Sequence, residues 1–339
     1  MALPNGTLLR EGRYQVQRLL ARGGFGFVYL TRDTVTDRQV VLKELIPVLV
    51  NDTEVLRRFV REGRAMQRLS HPHIARVDAM FKDSGNHYIV IEYLPGDALS
   101  ERVGRGRKLD LSQAALIGVA LCDALVYMHQ RGITHCDLNP SNVLFDSQGR
   151  PKMVDLGIAH VSDSFVHRSW YTQRNITMGT VFYMAPEQLD GVRDDPRVDM
   201  YALAAMLYEM LSGRPYLDFG LASTPSAQAE NIRRVHQEAP APIPEVPPQV
   251  NEVILRALAK HPDDRYPDVA HFRQQLIRAL FPHLPPDKGI SLVAPFRSVT
   301  ESRPGALDTA DWPRWIWVAL VVMNLIVMIA FAVLLLGSL

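Results

Sequence analysis

"HCDLNPSN", residues 135–142, sets Asp137 five positions ahead of Asn142, and thirteen residues further on "VDLG" (154–157) adds Asp155. Asn142 and Asp155 offer hard oxygens of the sort that Mg²⁺ takes when it shares its shell with phosphates. Asp137 would then accept the proton of an attacking hydroxyl, or orient that hydroxyl. Any one of these residues alone is more often a turn or a helix cap than a catalyst. Their order along the chain is what carries information.

Upstream, "LLARGGFGFVYL" (19–30) has glycines at 23, 24 and 26 between two strand-like runs. Such a hairpin lets backbone approach a triphosphate where side chains would collide. No helix follows and no Gly-Lys-Ser/Thr is present, so neither a dinucleotide fingerprint nor a Walker loop fits. Then "VVLKEL" (40–45) puts Lys43 inside an apolar strand. A buried lone ammonium costs several kcal/mol, so Lys43 needs a partner unless it lies on an edge with its tip in water. Glu62, in the following helix, is the candidate.

The rest of the chain frames these residues. Its 339 residues suit a two-lobed fold with extras, and 37 Lys and Arg against 36 Asp and Glu give no argument for a nucleic-acid partner. The two cysteines, Cys122 and Cys136, have no metal-ligand spacing and suit a reducing compartment. The opening residues lack the cationic start and apolar run of a secretory signal. Residues 14–94 read as short strands around one helix, with Val55, Phe59, Met66 and Leu69 on its apolar face. Helical patterns follow at 109–131, 196–213, 249–260 and 267–280, so the fold class is α+β with a β-rich lobe at 14–94 and a helical lobe at 95–280.

Residues 281–314 contain six prolines and read as a juxtamembrane linker. From Trp315 to Leu336 the chain has 22 residues, no charge and one amide, Asn324. That is roughly 33 Å of helix, enough to cross a bilayer. Lys288, Arg297, Arg303 and Arg314 precede it and no basic residue follows, which places the N-terminal side in the cytoplasm. Trp312, Trp315 and Trp317 would sit at the inner headgroups, and Asn324 could hydrogen-bond a second helix in a homodimer for about 0.6 kcal/mol. Only residues 337–339 would lie outside, so input is expected from cytoplasmic partners, dimerisation or the membrane.

Taken in order, these motifs resemble the eukaryotic-type Ser/Thr protein kinases common in bacteria, over residues 14–280. The resemblance implies a two-lobed kinase fold that uses ATP with Mg²⁺ or Mn²⁺ and acts on protein hydroxyls, itself included. Leu20, Ala21, Gly23, Gly24, Gly26, Val28, Val41, Glu92, Leu94, Asp97 and Leu144 would surround ATP, with Ile91 as gatekeeper. Lys43 would hold the α- and β-phosphates and pair with Glu62; Asp137 would be the catalytic Asp, and Asn142 and Asp155 the metal ligands. "GTVFYMAPE" (179–187) resembles the end of an activation segment, with Thr180 beside the substrate site and Ser169, Thr172 and Thr177 as phosphosite candidates. Glu187 would pair with Arg265, and Asp199 would support the catalytic loop. Met66, Val77, His135 and Leu156 fall where the family stacks its internal spine.

Three positions depart from that pattern. Ala21 replaces the first glycine of the loop. Cys136 replaces the Arg that in relatives pairs with a phosphorylated segment, which marks a non-RD loop and bears on regulation. Asn139 replaces the Lys that neutralises the moving phosphoryl group, so the transfer rate depends on it most directly. Kinases resembling aminoglycoside phosphotransferases also lack this Lys, but a small-molecule substrate would not need "GTVFYMAPE", Asp199 or Arg265. A nucleotide-binding scaffold with weak or no transfer is the alternative to an active enzyme.

Overall fold

A computed structural model describes residues 2–22, 26–45, 52–155, 160–161, 180–192, 194–220 and 224–283. The first lobe comprises β1 (Leu8–Leu9), β2 (Tyr14–Arg22), β3 (Gly26–Asp33), β4 (Arg38–Leu45), α1 (Thr53–Gln67), β5 (Val77–Asp83) and β6 (Asn86–Glu92). Its six strands run antiparallel in the order β1-β2-β3-β4-β6-β5. Because side chains alternate along a strand, each face of the sheet carries its own core. Tyr14, Val16, Tyr29, Val40, Leu42, Tyr88 and Val90 pack on one face. Buried Glu44 lies among them and accepts from Tyr29 Oη at 2.8 Å, Tyr88 Oη at 3.0 Å and Asn86 Nδ2 at 3.1 Å.

The other face holds Leu45, Ile89 and Ile91 and meets α1. The apolar stripe expected on α1 is present: Val55, Phe59, Met66 and Leu69 are all buried. Glu62 lies on the same stripe, at the i+7 position from Val55, and is buried with it. That register sends a carboxylate inward, toward the strand that bears Lys43.

The second lobe comprises α2 (Leu99–Arg102), α3 (Leu111–His129), β7 (Ile133–Thr134), β8 (Val143–Phe145), β9 (Pro151–Met153), β10 (His160–Val161), α4 (Pro186–Leu189), α5 (Arg197–Ser212), α6 (Pro225–Gln237), α7 (Pro248–Ala257) and α8 (Val269–Leu280). Asp110 caps α3 by accepting from Gln113 N at 2.8 Å. Among the described residues α3 is the helix long and apolar enough to cross a membrane. Its Ile117, Leu121, Leu125 and Met128 are fully buried, and it packs on α5 and α8, so here it is a core helix. At the α3–α5 crossing a Cβ on Gly118 would lie 2.8 Å from Leu207 Cδ2, so any larger residue here requires the Leu207 side chain to move. α5 is buried along nearly its whole length, and Gly213 (φ +75°) ends it in the left-handed region.

The four long helical patterns are found with their ends moved by at most three residues. β5, α2 and α6 were not expected from the pattern. "VDAMFKD" alternates poorly because only Val77 in it is buried, and α6 is a polar helix started by the Thr224 cap. The predicted membrane span 315–336 and all but 281–283 of the linker lie outside the described residues.

Candidate active site

Lys43 sits on β4 opposite Val28 of β3 and Ile89 of β6, on the face turned toward α1. Its Nζ is 3.2 Å from Glu62 Oε1 and 2.6 Å from Asp155 Oδ1. One ammonium therefore joins the sheet, α1 and the "VDLG" loop. Burial alone would lower the Lys43 pKa, but the carboxylates of Asp155 and Glu62 outweigh it and hold the ammonium charged. Burial raises Glu62 to about 7 against the pull of Lys43.

The catalytic loop is fixed from below. Asp199, buried in the first turn of α5, accepts from His135 N and Cys136 N at 2.8 Å each and contacts His129 Nε2 at 2.8 Å. Burial alone would raise Asp199, yet His129 and the His135 amide hold it below its ordinary value. Cys136 (φ +62°) and Asp155 (φ +51°) both occupy the left-handed region, a conformation that persists only where neighbours over-determine it. Asn142 Nδ2 donates to Asp137 O at 2.8 Å and Asp137 Oδ2 at 3.1 Å. Burial raises the Asp137 carboxyl, which makes it a better proton acceptor once ionised.

Asn139 turns toward the same residue. Its Nδ2 donates to Asp137 O at 3.0 Å, and its Oδ1 accepts from Ser141 N at 3.0 Å, capping the turn Pro140–Asn142. It supplies a dipole at the Asp137 backbone where a Lys would supply a charge.

Asp155 and Asn142 fit a hard divalent cation. The Asn142 amide NH₂ faces Asp137, which assigns its other atom, Oδ1, as the ligating oxygen. The Asp155 side chain is 40% exposed, so its carboxylate can be reached. Mg²⁺ held by these two residues would draw its other ligands from phosphates and water.

Of the expected ATP-lining residues, Ala21, Val28 and Lys43 share one register row, and Val41 lies two residues from Lys43 on the same face. Val41 and Leu144 pack half-buried against one core cluster, from above and below. Leu20 is half-buried and Leu94 buried. At Gly26 a Cβ would lie 2.4 Å from Glu44 O, so strand packing by itself requires this glycine. Gly23, Gly24, Leu156 and the phosphosite candidates Ser169, Thr172 and Thr177 lie outside the described residues. The other expected spine members, Met66, Val77 and His135, are buried.

Two polar ATP-site candidates have protein partners. Asp97 pairs with Arg102, accepting from Nε at 2.9 Å and Nη2 at 2.5 Å. The Glu92 carboxylate accepts from Lys152 Nζ at 2.6 Å and Arg76 N at 2.8 Å. It therefore braces the end of β6 to β9. Neither Lys152 nor Gly96 stood out in the sequence. A Cβ on Gly96 would come 2.4 Å from Phe145 O, so this glycine lets the segment after β6 close onto β8.

The anchor expected at the far end is complete. Arg265, its side chain fully buried, donates to Glu187 Oε1 and Oε2 at 2.6 and 2.7 Å. Its remaining donors reach Ala259 O at 2.8 Å, Arg197 O at 3.2 Å and Lys260 O at 3.2 Å.

This geometry is that of a protein kinase, and comparison with known proteins agrees. The protein kinase domain family matches residues 14–277, and the chain belongs to it. It is 35% identical over 256 residues to the serine/threonine-protein kinase PrkC of Bacillus subtilis, covering 76% of this chain and 39% of the relative. It is 38% identical over 288 residues to the serine/threonine-protein kinase Pkn1 of Myxococcus xanthus, covering 81% and 39%. The chain thus spans about two fifths of the length of these curated relatives. The crystal structure of the Mycobacterium tuberculosis PknI kinase domain superposes with a TM-score of 0.60 at 29% identity, covering 82% of this chain and all of that one. ATP and Mg²⁺ are the cofactors of this family.

Proposed function

We propose that this chain is a Ser/Thr protein kinase that transfers the γ-phosphoryl group of ATP to protein hydroxyls, its own among them. The observation that carries the reading is Lys43 held between Glu62 and Asp155, which couples the sheet, α1 and the metal loop in one arrangement. Mg²⁺ bound by Asp155 and Asn142 would neutralise charge on the phosphate oxygens. Lys43 binds and orients the α- and β-phosphates. The Asp137 carboxylate orients the substrate hydroxyl and takes its proton. The hydroxyl oxygen bonds to the γ-phosphorus while the bond to the β,γ-bridging oxygen breaks, and ADP departs with that electron pair.

Asn139 favours a slow enzyme. It holds Asp137 in place but brings no cation to the transferring group, and a nucleotide-binding scaffold is the second reading. We also infer a non-RD mode of control from Cys136, single-pass anchoring through residues 315–336 with the kinase facing the cytoplasm, and self-phosphorylation at Ser169, Thr172 or Thr177. The test is label transfer from γ-labelled ATP with Mg²⁺ or Mn²⁺, set beside an Asp155→Asn chain. Transfer above that control supports the enzyme. A thermal shift with Mg·ATP and no transfer supports the scaffold.

A further inference from the structure

Cys136 presents a problem that Asp199 solves only in part. Its left-handed backbone is unfavourable for a side-chain-bearing residue, and the peptide that follows it carries Asp137. Asp199 Oδ1 fixes the amide on one side of Cys136. The carbonyl on the other side accepts from Gln188 Nε2 at 2.5 Å, in a fully enclosed contact, with Gln188 itself buried. A carbonyl can face only the NH₂ end of that amide, so the chemistry fixes the orientation of the Gln188 side chain.

Gln188 is in turn held where it is. It follows Glu187 on the short helix α4, and Glu187 is clamped by Arg265. A chain of contacts thus runs from Arg265 through Glu187 and Gln188 to the Cys136 carbonyl and the peptide of Asp137. The loop is held from α4 by a hydrogen bond to main chain, which needs no phosphate.

We propose that Gln188 is a positioning residue for phosphoryl transfer, setting Asp137 through the Cys136 carbonyl. This rests on the kinase reading above. The test is made on the full chain with Gln188→Ala and Gln188→Glu, reading kinetics and amide exchange of the 135–142 peptide. For Gln188→Ala the structure predicts kcat lower by about tenfold with KM for ATP within about twofold, and exchange of 135–142 faster by a similar factor. Gln188→Glu can donate only when protonated, so its kcat relative to the parent should rise as pH falls from about 8 to about 6, while that of Gln188→Ala stays flat. Parent-like exchange in Gln188→Ala, or a flat pH ratio for Gln188→Glu, would overturn the proposal. If Gln188→Ala does not fold, the pH ratio of Gln188→Glu decides alone. Exchange is read without transfer, so an inactive parent would end the kinase reading and leave Gln188 to be judged on exchange.

Discussion

At Asn139 two roles compete for one side chain. Its carboxamide caps the Pro140–Asn142 turn and bonds the Asp137 carbonyl, whereas a Lys there would bring a cation to the moving phosphoryl group but cap nothing. Asn139→Lys is therefore expected to raise kcat by about tenfold or more while lowering stability by about 1 kcal/mol. Steady-state kinetics and urea unfolding check the two halves separately. Glu62 gives a pH prediction. Its pKa is raised to about 7, so as pH falls through neutrality it takes up a proton and Lys43 loses one of its two carboxylate partners. The acid limb of kcat/KM should lie near pH 7 and disappear from that region in Glu62→Gln, which is slower at every pH. The sign for stability is the reverse. A carboxyl that holds its proton more tightly when folded contributes stability at low pH, and that contribution is lost as pH rises from the unfolded value toward 7.

Helices and strands were legible where one face is apolar. α1 shows it best, since Val55, Phe59, Met66 and Leu69 announce the helix and the stripe they form also carries Glu62 to Lys43. The principal site residues could be named because each must be a particular chemical type at a particular place in the order. Gln188, Lys152 and Gly96 could not. Their partners are Cys136 O, Glu92 and Phe145 O, 52, 60 and 49 residues away, and no local periodicity records such a pairing. Asp97, expected beside the nucleotide, pairs with Arg102, an Arg five residues on that returns to it across the start of α2, a contact the sequence did not announce. At the scale of elements, the Arg265–Glu187 pair is the anchor of α4. Arg265→Met leaves Glu187 half-buried without its cation and should cost about 3–5 kcal/mol in denaturant unfolding, far more than loss of the exposed pair Lys108–Glu245.

Across the described residues both lobes contribute to one site. Asp199 on buried α5 and Arg265 before α8 hold the lower lobe's contribution, while Lys43 and Glu62 bring in the upper lobe's. If residues 315–336 cross a bilayer, the full chain should float with liposomes at high salt and a chain ending at residue 310 should not. Everything else depends on whether the assembled residues transfer phosphate. The decisive measurement is the time course of γ-phosphate label entering protein with the full chain and Mg·ATP, run beside Asp155→Asn and Lys43→Met. Incorporation by the parent, with both variants at background, is the predicted result. A parent no faster than those two variants, though folded and shifted in melting by Mg·ATP, would contradict it.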